Sequence, residues 1–397
     1  MRMRFRMILA HLGVAASVVL APGSAMAETI KIGVVDTFSG PAANYGDYNV
    51  KGMQLYAKLH AGELPAGTTL DFILRDDGGP NPDKAKQLAQ ELIVRDKVHL
   101  LAGAGFTPNA IAIAPLATQS KTPFLILNAG ASVVTTKSPY ITRFSFTMAQ
   151  SASPLGTWAA KKYKSVYTLV ADYGPGVDVE TAFSESYKAA GGTIAGSVRV
   201  PPMTLEFAPF LQRVKDAKPE ALMVFVPSGK VAAALVKGFI DLGLKDAGIK
   251  MIGTGDVVSD EELVNMDDGV VGVTTAYHYS AWADRPANKA FVDAWTKEYG
   301  PIQTNNFAVA GWDAMEAIFA VLKAGNGVID SDKAMAVLKD FKSANSPRGP
   351  IAIDPETRDI VQNEYLREVR KIDGKLRNVE IETLATALKD PVKDQKK

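Results

Sequence analysis

Thr107, Asn109 and Ser132 are the first residues in this sequence whose types and spacing suggest chemistry, and that chemistry is anion capture. They belong to residues 100–132, LLAGAGFTPNAIAIAPLATQSKTPFLILNAGAS. There an apolar run opens into a Gly-rich loop, a helix starts at Thr107-Pro108-Asn109, and a second apolar run ends at Asn128-Ala129-Gly130-Ala131-Ser132. The first N–H groups of a helix lack intrahelical acceptors and stand at the positive end of its dipole, which suits a carboxylate. Pro108 fits the first turn because it has no N–H to lose there. The three side chains would add polar contacts, although the same residues also serve as an ordinary cap and turn. Charge-assisted hydrogen bonds are worth about 1.5 to 3 kcal/mol each, so two or three supply much of the ~8 kcal/mol that a micromolar ligand requires.

Tyr45, Phe106, Tyr173, Tyr277, Tyr279 and Phe307 fall at or near expected strand ends, where aromatic rings would give a small ligand apolar walls. Asp256, after Gly255 at a strand end, either faces a ligand ammonium or caps a helix starting near Val258. His278 either donates to the ligand or is a structural ring beside aromatics.

No catalytic set emerges. Gly103-Ala104-Gly105 lacks the third glycine of a dinucleotide loop, Gly229-Lys230 lacks the rest of a P-loop, and Ser228 sits in no GxSxG elbow. The acidic pairs Asp76-Asp77 and Asp354 with Glu356 read as solvated or turn-forming residues. His60, His99 and His278 have no metal spacing, and with no cysteine, thiol catalysis, disulfides and thiolate metal sites are excluded. No cofactor and no metal are expected.

The elements that must position these residues alternate. Strands at 30–35, at 70–74 and from 100 are followed by Gly- or Asn-rich loops and helices, the second opening at Asn81-Pro82. The rhythm restarts after residues 141–146, with strands at 166–170, 193–198 and 221–226 and helices between them. Further helices are expected at 287–299 and 306–324, and a hairpin at 351–353 and 365–369 beyond the break Ser346-Pro347-Arg348-Gly349-Pro350. This is an α/β chain with two doubly wound parallel-sheet lobes whose strand-end loops face one cleft.

Residues 1–27 have a basic start, an apolar run and a small-x-small site at Ala25-Met26-Ala27, the pattern of a secretory leader cleaved after Ala27. Residues 28–397 make a chain longer than one core usually organises. A net charge of +1 with scattered lysines gives no reason to expect a nucleic-acid partner. The run 390–397 reads as a solvated tail.

From IKIGVVDTFSGPAANYGDYNVKGMQL, RDDGGPNPDKAKQLAQELI, DYGPGVDVETAF and DGVVGVTTAYHY with PANKAFVDAW, the chain resembles the leucine/isoleucine/valine-binding protein family over nearly its whole length. The resemblance implies a type I periplasmic-binding fold, with three hinge crossovers near 147–151, 277–281 and 345–350. It divides the chain into an N-terminal lobe, 28–148 plus 279–346, and a C-terminal lobe, 149–278 plus 347–397. It implies a monomeric periplasmic receptor that closes on a small carboxylate and docks on an ABC permease in the inner membrane. The carboxylate would be held at Asn109 and Ala131-Ser132, with a carbonyl from Ala129 or Gly130 of the loop begun by Asn128. Tyr45 and Tyr173 match pocket tyrosines, and Phe307 an apolar wall. Two positions depart from the family: Gly255 replaces its ammonium-binding glutamate, and Ser228 a pocket tyrosine. AGFTPNA and ETRDIVQNEYLREV look more like members that carry aromatic acids of the hydroxybenzoate or cinnamate type. The ligand is thus expected to be a branched-chain amino acid or an aromatic acid. The other functions open to this scaffold are a sensor domain and a periplasmic enzyme.

Overall fold

The computed structural model describes residues 29–394. The first parallel sheet is built from β1 (Thr29–Asp36), β2 (Thr69–Asp76), β3 (Leu100–Gly103), β4 (Phe124–Ile126) and β5 (Ile141–Arg143), with α1 (Asn44–Leu59), α2 (Pro82–Glu91) and α3 (Thr107–Ser120) as crossovers. Its order, β2-β1-β3-β4-β5, reverses between β1 and β3, which opens a crevice at their carboxyl ends. Asn81 accepts from the N–H of Lys84 and Pro82 occupies the first turn, so α2 starts where its cap chemistry dictates.

The second lobe takes α4 (Met148–Ala160), β6 (Ser165–Ala171), α5 (Gly174–Ala189), β7 (Thr193–Val200), α6 (Ala208–Ala217), β8 (Ala221–Phe225), α7 (Lys230–Asp241), β9 (Lys250–Thr254) and β10 (Thr274–Tyr277). Parallel neighbours run β7-β6-β8-β9-β10, again with a reversal, here between β6 and β8. The chain then returns to the first lobe as α8 (Pro286–Tyr299), α9 (Asn306–Ala324), α10 (Ser331–Lys339), β11 (Lys342–Ser343) and β12 (Ile351–Ile353). It ends in β13 (Ile360–Ile372), β14 (Lys375–Leu388) and the short α11 (Pro391–Asp394). Among the described residues no helix is long and apolar enough to cross a membrane.

Two glycines clamp the returning segment to the first lobe. A Cβ on Gly52 of α1 would lie 2.0 Å from the carbonyl oxygen of Ala308 in α9, and one on Gly311 would lie 2.0 Å from that of Asn49. The two helices therefore meet backbone to backbone, which only glycine allows.

The third crossing differs from expectation. The resemblance puts residues 347–360 in the second lobe, but Ile351, Ile353 and Ile360 pack in the core that holds Ile30 and Leu100. Leu366 and Val369, on the same strand as Ile360, pack with Val166 and Leu222 in the other core. β13 itself passes between the lobes, pairing with β12 at Ile360 and with β10 at Tyr365. The first passage lies between Phe144 and Phe146, slightly earlier than expected, because those rings belong to different cores.

The C-terminal segment also departs from a solvated tail. Asp390 is buried and accepts from the Ser132 hydroxyl at 3.2 Å, while Lys393 reaches the Thr135 hydroxyl at 2.6 Å and pairs with Asp359.

Candidate functional site

The carboxyl ends of β1, β2 and β3 are tied by a buried acid network. Asp36 accepts from the Thr37 N–H at 2.9 Å and the Asn49 amide at 2.8 Å. Burial, and behind it the charge of Asp77, pushes the Asp36 carboxyl up to about 7. Asp77 accepts from the Thr37 hydroxyl at 2.7 Å and from Asn109 Nδ2 at 2.7 Å, and Asn109 also donates to the Gly79 carbonyl at 2.9 Å. Both amide hydrogens of Asn109 are thus spent on the protein, and Oδ1 alone is left without a protein partner. This side chain anchors α3 to the neighbouring loop and has no donor left for a carboxylate.

The turn at 128–132 is equally committed. Asn128 donates to the Gly105 carbonyl at 2.7 Å, and the Ala129 N–H to Ala104 at 2.9 Å. The Ala131 N–H turns to the Thr107 hydroxyl at 3.3 Å, and the Ser132 N–H to Asp178 of α5 at 2.8 Å. Gly130 accepts from the Met148 N–H at 3.0 Å, and the Ala131 carbonyl accepts from Arg143 at 2.7 Å. The expected free amides at 131 and 132 are therefore taken, by residues far away in the chain.

Above this floor stands an aromatic wall. Tyr45, in the first turn of α1, lies 5.3 Å from Phe106 and 4.5 Å from Phe307, centroid to centroid. Its hydroxyl is 3.4 Å from the Ser228 hydroxyl of the second lobe. Tyr173, at the start of α5, stacks on Phe225 at 6.1 Å. Asn44 donates to Glu261 at 2.9 Å across the same seam. A Cβ at Gly174 would be 3.6 Å from Ala131 and 3.7 Å from Thr107, so the starts of α3 and α5 face one another. The lobes are closed. At the rim, Phe106 and Tyr173 join Pro80, Pro108 and Pro201 around a groove of about 580 Å³.

The base of the cleft is polar. Asp256 lies in a short 3-10 turn, and its carboxylate accepts from the Thr254 hydroxyl at 2.8 Å and the Tyr277 hydroxyl at 3.4 Å. It does not cap the turn, so the capping alternative is set aside. Burial raises it to about 6. Gly255 lies against Tyr277 and Arg367, whose guanidinium sits 4.9 Å over that ring and donates to the Tyr279 carbonyl at 2.6 Å. His278 lies between Tyr277, tilted against it at 4.4 Å, and Phe146, on which it stacks at 5.0 Å. Burial, then Arg348 and Arg367, hold His278 well below the ordinary histidine range, so the ring is neutral.

The expected residues therefore fall into two groups. Tyr45, Phe106, Tyr173, Ser228, Gly255, Asp256, Tyr277, His278 and Phe307 converge on the seam, whereas Asn109 and the 128–132 turn brace it. Sequence alone does not single out Phe146, Phe225 or Glu364. For Glu364 a signal exists: alternation with Leu366 along NEYLREV puts an acid on the apolar side of a strand. Among the described residues no group of three or more potential ligands could hold a metal ion.

A family profile described as periplasmic binding protein matches residues 29–375. The chain is 39% identical over 367 residues to a Leu/Ile/Val-binding protein homolog 6 of Brucella melitensis biotype 1, covering 92% of this chain and 94% of that one. Among solved structures it is similar to a solute binding protein of an ABC transporter from Rhodopseudomonas palustris BisB5 in complex with 3,4-dihydroxy benzoic acid. That match has 48% identity and a TM-score of 0.88, covering 92% of this chain and 99% of the other. A solute binding protein from Rhodopseudomonas palustris HaA2, in complex with p-hydroxybenzoic acid, matches at 43% identity and a TM-score of 0.88, with the same shares covered.

Proposed function

The chain belongs to the periplasmic binding protein family, and on that premise we propose that it is the solute receptor of an ABC importer, capturing a small aromatic carboxylate between its lobes. Gly255 carries the choice of ligand class. Where the resemblance implies an ammonium-binding glutamate, a Cβ would lie 2.2 Å from Cγ of Tyr277 and 2.5 Å from Nη2 of Arg367. An aromatic ring and a guanidinium fill the place of that acid. The ligand ring is read between Tyr45, Phe106, Tyr173 and Phe307, with its carboxylate toward the first turn of α3, where a helix start leaves amides free. The relatives crystallised with hydroxybenzoic acids support this reading.

A branched-chain amino acid is the second reading, and one observation favours it: Asp256 stands at the cleft and could pair with an ammonium. Thermal-shift measurements with benzoates, cinnamates and Leu, Ile and Val separate the two. Stabilisation by the aromatic acids alone is expected; stabilisation by the amino acids alone would move the assignment, and by neither would overturn both.

No chemistry on the ligand is proposed. Ser151, His278 and Glu364 have the residue types of a hydrolase triad, but neither ring nitrogen of His278 has a hydrogen-bond partner in the protein, so no base is set to activate the serine. The partner is an inner-membrane permease, and the receptor acts in the periplasm as a monomer without nucleic acid. The leader cleaved after Ala27 lies outside the described residues; the mass of the exported protein checks it.

A further inference from the structure

Resting on the cleft as a carboxylate site, one feature of its base goes further. β10 and β13 pair antiparallel, with Thr274 opposite Glu368 and Tyr277 opposite Tyr365. One residue beyond the last pair, the same register brings His278 opposite Glu364, on the face they share with Ala276 and Leu366. That face meets the first turns of α4, where Ser151 stands.

His278 is 1% exposed, and Glu364 and Ser151 are 0% exposed. Yet both nitrogens of His278, both carboxylate oxygens of Glu364 and the Ser151 hydroxyl have no hydrogen-bond partner of good geometry in the protein. Ser151 stands near enough to Glu364 to favour its charged form, but burial outweighs that. Buried polar groups are nearly always paired, so this many at one place mark a site that meets a polar ligand group. The cluster adjoins the aromatic wall: His278 packs against Tyr277, whose hydroxyl reaches Asp256, and the Asp256 charge is felt at Tyr45, Tyr173 and Glu364.

The surroundings select the group. A second anion would meet the Asp256 carboxylate, and an ammonium would meet Arg348 and Arg367, which already act on His278. A hydroxyl donates and accepts without charge, and it complements a neutral imidazole beside a protonated acid; burial pushes Glu364 up to about 8, so it holds its proton at neutral pH.

We infer that Glu364 and His278 form a hydroxyl-recognising pole opposite the carboxylate end, which makes the receptor specific for phenolic acids over their unsubstituted parents. A site built to bond a hydroxyl rejects the analogue that lacks it, because its own buried groups are then left unpaired.

Calorimetry on the mature protein with benzoate, 4-hydroxybenzoate and 3,4-dihydroxybenzoate tests this. The wild type is expected to bind the hydroxylated acids at least roughly 30-fold more tightly than benzoate. Glu364→Leu should reduce that preference, read as the ratio of the two affinities within the variant, to roughly threefold or less; Glu364→Gln, close in shape, should reduce it partially. Equal wild-type affinity for benzoate and 4-hydroxybenzoate would overturn the inference without any variant, as would a preference that survives both substitutions. In either case bound benzoate would leave the aromatic-carboxylate reading intact. Binding of leucine with no aromatic acid bound at all would overturn both.

Discussion

The hydroxyls of Tyr45 and Ser228 lie 3.4 Å apart, although one belongs to α1 and the other lies just beyond β8 in the opposite lobe. They meet only when the cleft is shut, and Asn44–Glu261 and Ser132–Asp178 close with them. Apolar packing crosses the same seam, with Tyr173 and Met203 of the second lobe against the cluster of Tyr45, Phe106 and Phe307, and these few polar contacts add to it, so closure can be tuned one hydrogen bond at a time.

Asn44→Ala removes a donor from buried Glu261 in the closed form only. The loss of such a bond costs about 1 to 3 kcal/mol, so ligand affinity should fall between roughly fivefold and a hundredfold. Calorimetric affinity should drop while the melting temperature without saturating ligand changes little; the reverse pattern would make Asn44 a folding residue.

Closure should take up protons. Burial raises Glu261 to about 7 in the closed form, above the ordinary value of 4.5. If opening returns it to water, the closed form holds the extra proton between these values. Affinity therefore rises by roughly tenfold or more as pH falls from about 8 towards 5, and the gain is lost as pH rises through about 7. Titrations in buffers of different ionisation heat should reveal net uptake, and its absence at about pH 6.5, inside that window, would refute the coupling.

Asn109→Ala should act on stability first. It strips a donor from the buried Asp77 carboxylate and the Gly79 carbonyl, a loss of about 2 to 4 kcal/mol. A melting temperature several degrees lower without ligand is expected. An unchanged melting curve with weakened binding would instead return Asn109 to the ligand contacts.

Gly255→Ala should weaken binding of every ligand, because the new methyl would overlap the Tyr277 ring at 2.2 Å. Overpacking of this kind costs about 1 to 3 kcal/mol, read as a lower melting temperature together with at least roughly fivefold weaker binding. Binding at wild-type strength would show that the ring can move aside.

Removing residues 389–397 should lower the melting temperature by a few degrees. The deletion takes away Asp390 from Ser132, Lys393 from Asp359, and Lys389 from Asp354 at 3.1 Å. Partly buried pairs of this kind carry more than exposed ones. An unchanged melt would show the segment to be passive.

Most of the architecture is legible in the sequence because its signals are local. Apolar runs mark β1, β3 and β8, and Asn81-Pro82 fixes the start of α2 without reference to anything distant. The residues of the aromatic wall are legible for the same reason, as rings at strand ends. Hydrogen-bond partners are not. The N–H of Ser132 looks free from its neighbours because its acceptor, Asp178, is 46 residues away. Likewise Pro347-Arg348-Gly349 reads as a crossover because it breaks the pattern. Arg348 instead pins that break with buried bonds to Asp313, to the Phe144 and Ser145 carbonyls and to Gln362, and the chain runs on as β12 before it crosses.

One strand, β13, is rooted in both cores without an interrupting loop. Extended backbone has almost no slack along its length, so the halves cannot slide apart there. Torsion about the strand is the motion left soft. Spin labels at its two ends should keep their separation whether solute is present or not, while labels on the facing rims should swing, as in rotation about a fixed spindle.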